Sequence, residues 1–186
     1  MDEDLLSLLD ARLNRLDVYL QGLPNGRTSM TKATLIAEPG KHEFTMSRIF
    51  NAPRELVFKV MTDPTHVPNW WGPRKYKTIV DKMEVRAGGL WRYIQRSEQG
   101  DEFAFHGVYH SLTAPERVVD TFEFEGMPGH VILETMTLEA QPDGKTKLTV
   151  SSVFQSVADR DGMLSSGMED GSNESYDRLE ELLATL

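Results

Sequence analysis

The sequence DGMLSSGMEDGSNESYDRLEELLATL (residues 161–186) decides the fold, because it predicts one long amphipathic helix. Apolar or small residues recur at steps of three or four, the spacing of one helical face: Leu164, Met168, Gly171, Ser175, Leu179, Leu182 and Leu186. Glycine is unfavourable inside a helix, where it costs about 1 kcal/mol relative to alanine. We therefore expect either a close approach or an open space beside the first half of this helix.

The composition indicates a cytoplasmic protein with neither a nucleic-acid nor a membrane partner. The chain has 186 residues, no cysteine and a net charge of −9, and this length suits one domain with an appendage. Nucleic acids and anionic membranes both require a basic footprint, which an acidic chain does not supply. No apolar run approaches the roughly 18 residues of a membrane span, and the acidic start is unlike a signal peptide. The absence of cysteine excludes disulfides and thiolate chemistry.

Residues 1–29 are predicted to form an N-terminal amphipathic helix and a linker, followed by a domain over residues 30–186. Leucines alternate three- and four-residue steps in a short heptad seam: Leu6, Leu9, Leu13, Leu16, Leu20 and Leu23. Fewer than three heptads make a marginal coiled coil. Two interpretations therefore stay open, a helix packed on its own domain and a helix that forms a homodimer. A mostly polar linker is expected to run to about Lys41.

From Glu43 onward the pattern predicts an α+β domain. Phe44, Met46 and Phe50 lie on one side of a first strand. Two short helices follow before Trp70, and then come six runs of strand character at 77–86, 90–96, 102–111, 117–124, 131–140 and 146–154. The short connections between these runs imply an antiparallel meander. Such a sheet must cover its apolar face, and the final helix is the element available to do so.

Several motifs resemble one known family. They are NAPRELVF (51–58), WWGP (70–73), MEVRAGGLWRY (83–93), FHGVY (105–109) with PER (115–117), and GMEDG (167–171) leading into the final helix. In this order they are similar to the bacterial branch of the activator of heat-shock-protein-90 ATPase homologues, within the START-like (SRPBCC) superfamily. The resemblance covers about residues 30–186. It implies a helix-grip fold, in which a curved antiparallel sheet wraps around a long C-terminal helix with a cavity between them.

The first 29 residues depart from this family, whose members usually begin near the position of Met30. The eukaryotic activators carry a separate N-terminal domain that is not found in this sequence. Interaction with a chaperone is what the family name suggests, but we do not expect stimulation of a chaperone ATPase here.

Aromatic residues dominate the sheet expected to face the final helix. Small helical residues opposite large aromatic ones either interlock into a solid core or leave a pocket, and the resemblance favours the pocket. Trp70 and Trp71 cannot both point inward from an extended segment, so one is expected at the cavity mouth. The predicted ligand-binding residues are Trp70, Trp71, Trp91, Tyr93, Phe105, Phe122, Glu134, Met136, Met168 and Gly171.

Three carboxylates, Asp81, Asp120 and Glu134, interrupt otherwise apolar strand faces. A buried carboxylate needs a partner or a raised pKa, and Arg86 or Arg92 is a candidate partner. The alternative, which residue types alone favour, is an ion pair at a strand edge or across strands.

No metal site and no cofactor are predicted. His106 and His110 lie about 13 Å apart along a strand, too far to chelate one ion. The acidic residues of the final helix are interpreted as a solvated face.

The function predicted from these features is non-enzymatic binding of a small hydrophobic or amphipathic ligand between sheet and helix. The alternative is a cavity-based enzyme of the polyketide-cyclase or hydrolase type that uses Asp120, Glu134 or His106, with its catalytic residues otherwise unknown. A third possibility is a chaperone-interacting stress-response module. The sequence contains no nucleophile elbow, phosphate-binding loop or dinucleotide glycine motif.

Overall fold

One antiparallel sheet organises residues 32–186, the part of the chain that the computed structural model describes. Its spatial order is β1-β2-β8-β7-β6-β5-β4-β3, so consecutive strands from β3 to β8 are neighbours and the chain forms a meander. The strands are β1 (Thr34–Ile36), β2 (Glu43–Phe50), β3 (Lys77–Met83), β4 (Leu90–Arg96), β5 (Glu102–Thr113), β6 (Arg117–Phe124), β7 (Ile132–Gln141) and β8 (Lys145–Val153). The predicted α+β helix-grip architecture is confirmed.

The helices of the described residues occur in two pairs along the chain. Two short helices, α1 (Arg54–Met61) and α2 (Val67–Trp70), connect β2 to β3. Two longer ones, α3 (Val157–Ser165) and α4 (Met168–Leu183), follow β8. Helix α4 buries one face, because Tyr176, Leu179 and Leu183 recur at three- and four-residue steps and all three are buried.

The prediction of a single helix over residues 161–186 is wrong in one respect. Helix α3 begins earlier, where the Ser156 hydroxyl accepts a hydrogen bond from the Asp159 backbone N–H at 3.1 Å. It ends before Gly167, whose φ of 80° lies in the left-handed region and starts α4 in a new direction. Leu164 and Met168 therefore belong to two helices. Leu186 lies beyond α4 and is 60% exposed.

The predicted linker also needs correction, because it contains β1. Thr34 pairs with Ser47 and Ile36 pairs with Thr45, which makes β1 an edge strand on β2. Three residues are too few to show a period of two, so sequence patterning does not reveal such a strand. The predicted N-terminal helix, and the dimer predicted through it, lie outside the described residues.

The acidic face of α4 is not simply solvated. Asp177 accepts a hydrogen bond at 2.7 Å from the guanidinium of Arg48, whose side chain is 2% exposed. Arg74 reaches Glu181 at 2.6 Å, and the Asn51 amide donates to Glu180 at 2.7 Å. These contacts tie α4 to β2 and to the connections around α1 and α2. The solvated-face interpretation is therefore incomplete for this side of α4, where partly exposed carboxylates also make ion pairs and hydrogen bonds.

Candidate functional site

A cavity of about 290 Å³ lies between the sheet and helices α3 and α4. Its volume is at the lower end of the roughly 300–1,000 Å³ typical of small-molecule sites. Gly171, Ser172 and Ser175 line it from α4, so the small residues of the helix face an open space. All ten predicted ligand-binding residues lie on its walls: Trp70, Trp71, Trp91, Tyr93, Phe105, Phe122, Glu134, Met136, Met168 and Gly171.

Aromatic rings form one continuous wall of the cavity. Trp91 and Tyr93 on β4 have centroids 4.8 Å apart. Phe105 and Phe122 on the next two strands are 5.4 Å apart. Trp71 joins the two groups in edge-on contacts, at 5.2 Å from Tyr93 and 5.4 Å from Phe105. Offset and edge-on arrangements are those that aromatic rings prefer, so this wall is rigid.

Trp70 and Trp71 both line the cavity. Two neighbours in an extended segment would instead point to opposite sides. The reason is local, since Trp70 is the last residue of α2 and the chain turns extended only at Trp71. Arg178 on α4 fixes this turn by donating to the carbonyl oxygens of Pro68 at 3.2 Å and Gly72 at 2.6 Å. The helix thus positions the loop that carries both indoles.

Two carboxylates, Asp120 and Glu134, stand opposite each other on β6 and β7 and line the cavity. The Ser152 hydroxyl donates to Glu134 Oε1 at 2.8 Å. Burial raises the pKa of Asp120 to about 8, and the negative charge of Glu134 acts in the same direction. Burial also raises the pKa of Glu134, against the effect of the Ser152 hydrogen bond. Like charges this close titrate in two separate steps.

Both carboxyl residues keep some accessible surface, although their side chains lie deep in the protein. The two facts agree because that surface faces the cavity and not the exterior. A ligand in the cavity would therefore meet the carboxyl oxygens directly.

Three tyrosines surround the carboxyl pair. The hydroxyls of Tyr93 and Tyr109 are 3.4 Å apart. Burial raises the pKa of Tyr109 to about 12, and raises that of Tyr93 as well. Tyr176 on α4 has a pKa raised first by burial and then by the charge of Glu134, whereas Arg48 lowers it. All three phenols are therefore neutral hydrogen-bonding groups at physiological pH.

The cavity wall also includes residues outside the predicted ligand-binding set, among them Tyr109, Asp120, Ser152 and Tyr176. The sequence pattern could have identified Ser152, because this residue shares the inward side of β8 and its continuation with Val150 and Phe154. Tyr176 follows the small residue Ser172 by four positions on α4, so helical spacing places it next to the open space.

The remaining predicted polar residues lie on the opposite face of the sheet. Asp81 pairs with Arg92 at 3.1 Å, so the ion-pair alternative is correct for this carboxylate. His106 lies 3.2 Å from Glu123 and does not line the cavity, because its neighbours Phe105 and Gly107 take the inward positions of β5. The prediction that His106 shares the cavity is wrong.

Arg86 and Arg92 do not neutralise the buried pair either. Arg92 is bound by Glu125 at 2.6 Å as well as by Asp81, and Arg86 pairs with Glu84 at 3.3 Å. Both arginines are therefore engaged outside the cavity.

Within residues 32–186, no group of three or more histidine, cysteine, aspartate or glutamate side chains is arranged to hold a metal ion. None of the helices there is long and apolar enough to cross a membrane.

Residues 51–184 match the family described as activator of Hsp90 ATPase homolog 1-like proteins. The chain belongs to the activator of Hsp90 ATPase homolog 1-like family. The matched residues include the aromatic wall, the carboxyl pair and both helices that follow β8. The predicted family relationship is thereby confirmed. No curated protein matches the sequence.

Several solved structures share the fold of this protein. A protein from Arthrobacter aurescens superimposes with a TM-score of 0.75 at 22% identity, covering 86% of this chain and 94% of that one. A protein from Rhodobacter sphaeroides superimposes with a TM-score of 0.75 at 24% identity, covering 82% of this chain and 100% of that one. A protein from Staphylococcus epidermidis superimposes with a TM-score of 0.68 at 26% identity, covering 80% of this chain and 93% of that one.

Proposed function

We propose that this protein is a non-enzymatic, cytoplasmic START-like domain that binds one small hydrophobic or amphipathic ligand in the cavity between sheet and helix. The observation that carries the proposal is an open space of about 290 Å³ opposite three small residues of α4. A tightly packed interior leaves few voids larger than a water molecule. A space of this size, lined mainly by aromatic and aliphatic side chains, is typical of a binding site.

The energetics agree with a small ligand. Burying roughly 200 Å² of apolar ligand surface contributes about 5 kcal/mol at about 25 cal/mol per Å², before the costs of ordering. The aromatic wall is held in place by its own ring contacts and by Arg178, so little reorganisation is needed on binding. The titratable carboxyl groups of the cavity wall are the adjacent pair Asp120 and Glu134, which suits a ligand with one polar end.

Ligand-observed NMR with a panel of small neutral aromatic compounds tests this proposal. The full chain is compared with Ser175→Leu, which places a leucine side chain in the cavity, and with Ala184→Leu, which adds the same side chain at an exposed position of the C-terminal turn. We expect binding to the full chain and to Ala184→Leu, and its loss in Ser175→Leu. Equal binding by all three proteins would place the compounds outside the cavity and contradict the proposal.

The second candidate is a cavity-based enzyme of the polyketide-cyclase or hydrolase type. It is favoured by Asp120, because a carboxyl group with a pKa of about 8 stays protonated at neutral pH and can donate a proton. Asp120→Asn separates the two functions. The compound that co-purifies with Asp120→Asn is then incubated with the unaltered protein. Its conversion to a chemically different product supports the enzyme, whereas an unchanged compound supports binding alone.

A further inference from the structure

The carboxyl pair has no cation facing it across the cavity. In the described part of the chain, no lysine, arginine or histidine lines the cavity wall. Arg48, the buried arginine whose charge acts on the cavity residue Tyr176, is paired with Asp177 at 2.7 Å. A buried carboxylate without a cation is costly, and proteins normally neutralise it or pair it. The missing charge is therefore one that a ligand can supply.

A second polar group, the indole N–H of Trp91, lies beside the pair. Trp91 is 4% exposed and lines the cavity, and within residues 32–186 its Nε1 atom has no hydrogen-bond acceptor of ordinary geometry. Its effect on Asp120 is nevertheless to favour the ionised carboxylate. This N–H therefore lies close to the Asp120 carboxyl group, and its interaction with that group strengthens when Asp120 is ionised. A cation in the cavity would act in the same direction, because it also favours the ionised form of Asp120.

The wall around the pair is also suited to a cation. Trp91 and Tyr93 present ring surfaces beside the carboxyl groups, and aromatic faces attract ammonium groups in desolvated sites. The hydroxyls of Tyr93 and Tyr109 add acceptor oxygens. An anionic ligand would instead meet the negative charge of the carboxyl pair at short range.

We infer that the ligand of the proposed binding function is a small apolar amine, whose protonated nitrogen lies between the carboxyl groups of Asp120 and Glu134 while its ring body contacts the aromatic wall. This inference rests on the proposed function and narrows it to one chemical class. The charge balance is simple, because one ammonium group offsets one carboxylate and the second carboxyl group keeps its proton. Tyr93, Tyr109 and Tyr176 face the pair as neutral phenols, and the positive charge of Arg48 acts on Tyr176.

Three probes with the same ring body test the inference by calorimetric titration at pH 7.5: 2-naphthylmethylamine, 2-naphthylmethanol and 2-naphthoate. We expect the amine to bind about tenfold or more tightly than the alcohol, as a charge-assisted hydrogen bond in a dry site implies, and the carboxylate to bind most weakly. In the double variant Asp120→Asn/Glu134→Gln, the affinity for the amine should fall to that for the alcohol. Asp81→Asn, on the opposite face of the sheet, should retain the preference.

The ranking in the unaltered protein needs no variant, so the test survives a variant that fails to fold. Equal affinity for amine and alcohol, or tightest binding of naphthoate, would overturn the amine assignment and leave the apolar binding function standing. Failure of all three probes would also overturn the assignment, whereas the binding function itself is judged by the neutral panel and the Ser175→Leu variant.

Discussion

Asp120 and Glu134 are register partners on adjacent strands, and both face the cavity between sheet and helix. The arrangement places two like-charged groups side by side in an apolar interior, where one of them holds its proton at neutral pH. This pair distinguishes the cavity from a purely hydrophobic packing defect.

The raised pKa of Asp120 makes stability depend on pH. An acid that binds its proton more tightly when folded contributes stability that is complete below its unfolded pKa, near 3.8, and is lost as the pH rises toward about 8. We expect the unfolding free energy to fall between pH 5 and pH 8, by at most about 1.4 kcal/mol per pH unit from this group. Urea denaturation at several pH values measures the effect.

Asp120→Asn should flatten this pH dependence, because the amide does not titrate. Asp81→Asn serves as the matched control, since Asp81 is exposed and paired with Arg92. Parallel curves for the unaltered protein and Asp120→Asn would show that Asp120 is not the cause.

The ion pair between Arg48 and Asp177 is predicted to be important for stability. The Arg48 side chain is 2% exposed and its charge is compensated at 2.7 Å. Asp177→Asn removes the compensating charge, and we expect a loss of about 3 kcal/mol or more in chemical denaturation. The double variant Arg48→Leu/Asp177→Leu should recover much of that loss, because no buried charge remains. Equal destabilisation by single and double variants would refute this explanation.

Arg178 is predicted to stabilise the loop that carries the two tryptophans. Its guanidinium donates to the carbonyl oxygens of Pro68, Trp71 and Gly72. Arg178→Met should cost about 2 kcal/mol, in line with the loss of charged hydrogen bonds, and should change the near-ultraviolet circular dichroism of the indoles. Arg86→Met is the control, because Arg86 is 66% exposed and such changes cost little. An unchanged tryptophan signal in Arg178→Met would contradict this role.

Much of the fold follows from periodicity in the sequence. Phe44, Met46 and Phe50 alternate along β2 and are all buried, as a strand with one covered face requires. Elements without a period are missed, as the three-residue strand β1 shows. The spacing predicts that Gly167 lies within a helix, because spacing alone does not show that its backbone is left-handed.

The carboxylates show where sequence patterning reaches its limit. Asp81 and Asp120 interrupt similar apolar alternations, yet only Asp120 faces the cavity. A register shift between Val80 and Lys82 interrupts the pairing of β3 at Asp81, and a bulge changes which side a residue faces. Helical spacing places Tyr176 on the cavity side of α4, but its edge-on contact with Phe50 of β2 joins distant parts of the chain and does not follow from that spacing.

Native mass spectrometry of the full chain purified from its own host, followed by denaturing release of bound compounds, tests the central claim most directly. We expect one reproducible small compound per chain, apolar with a basic nitrogen, and its absence from Ser175→Leu prepared in the same way. A chain that carries nothing, together with a high-resolution structure in which Trp91, Phe105 and Met168 pack solidly against α4, would contradict the ligand-binding function.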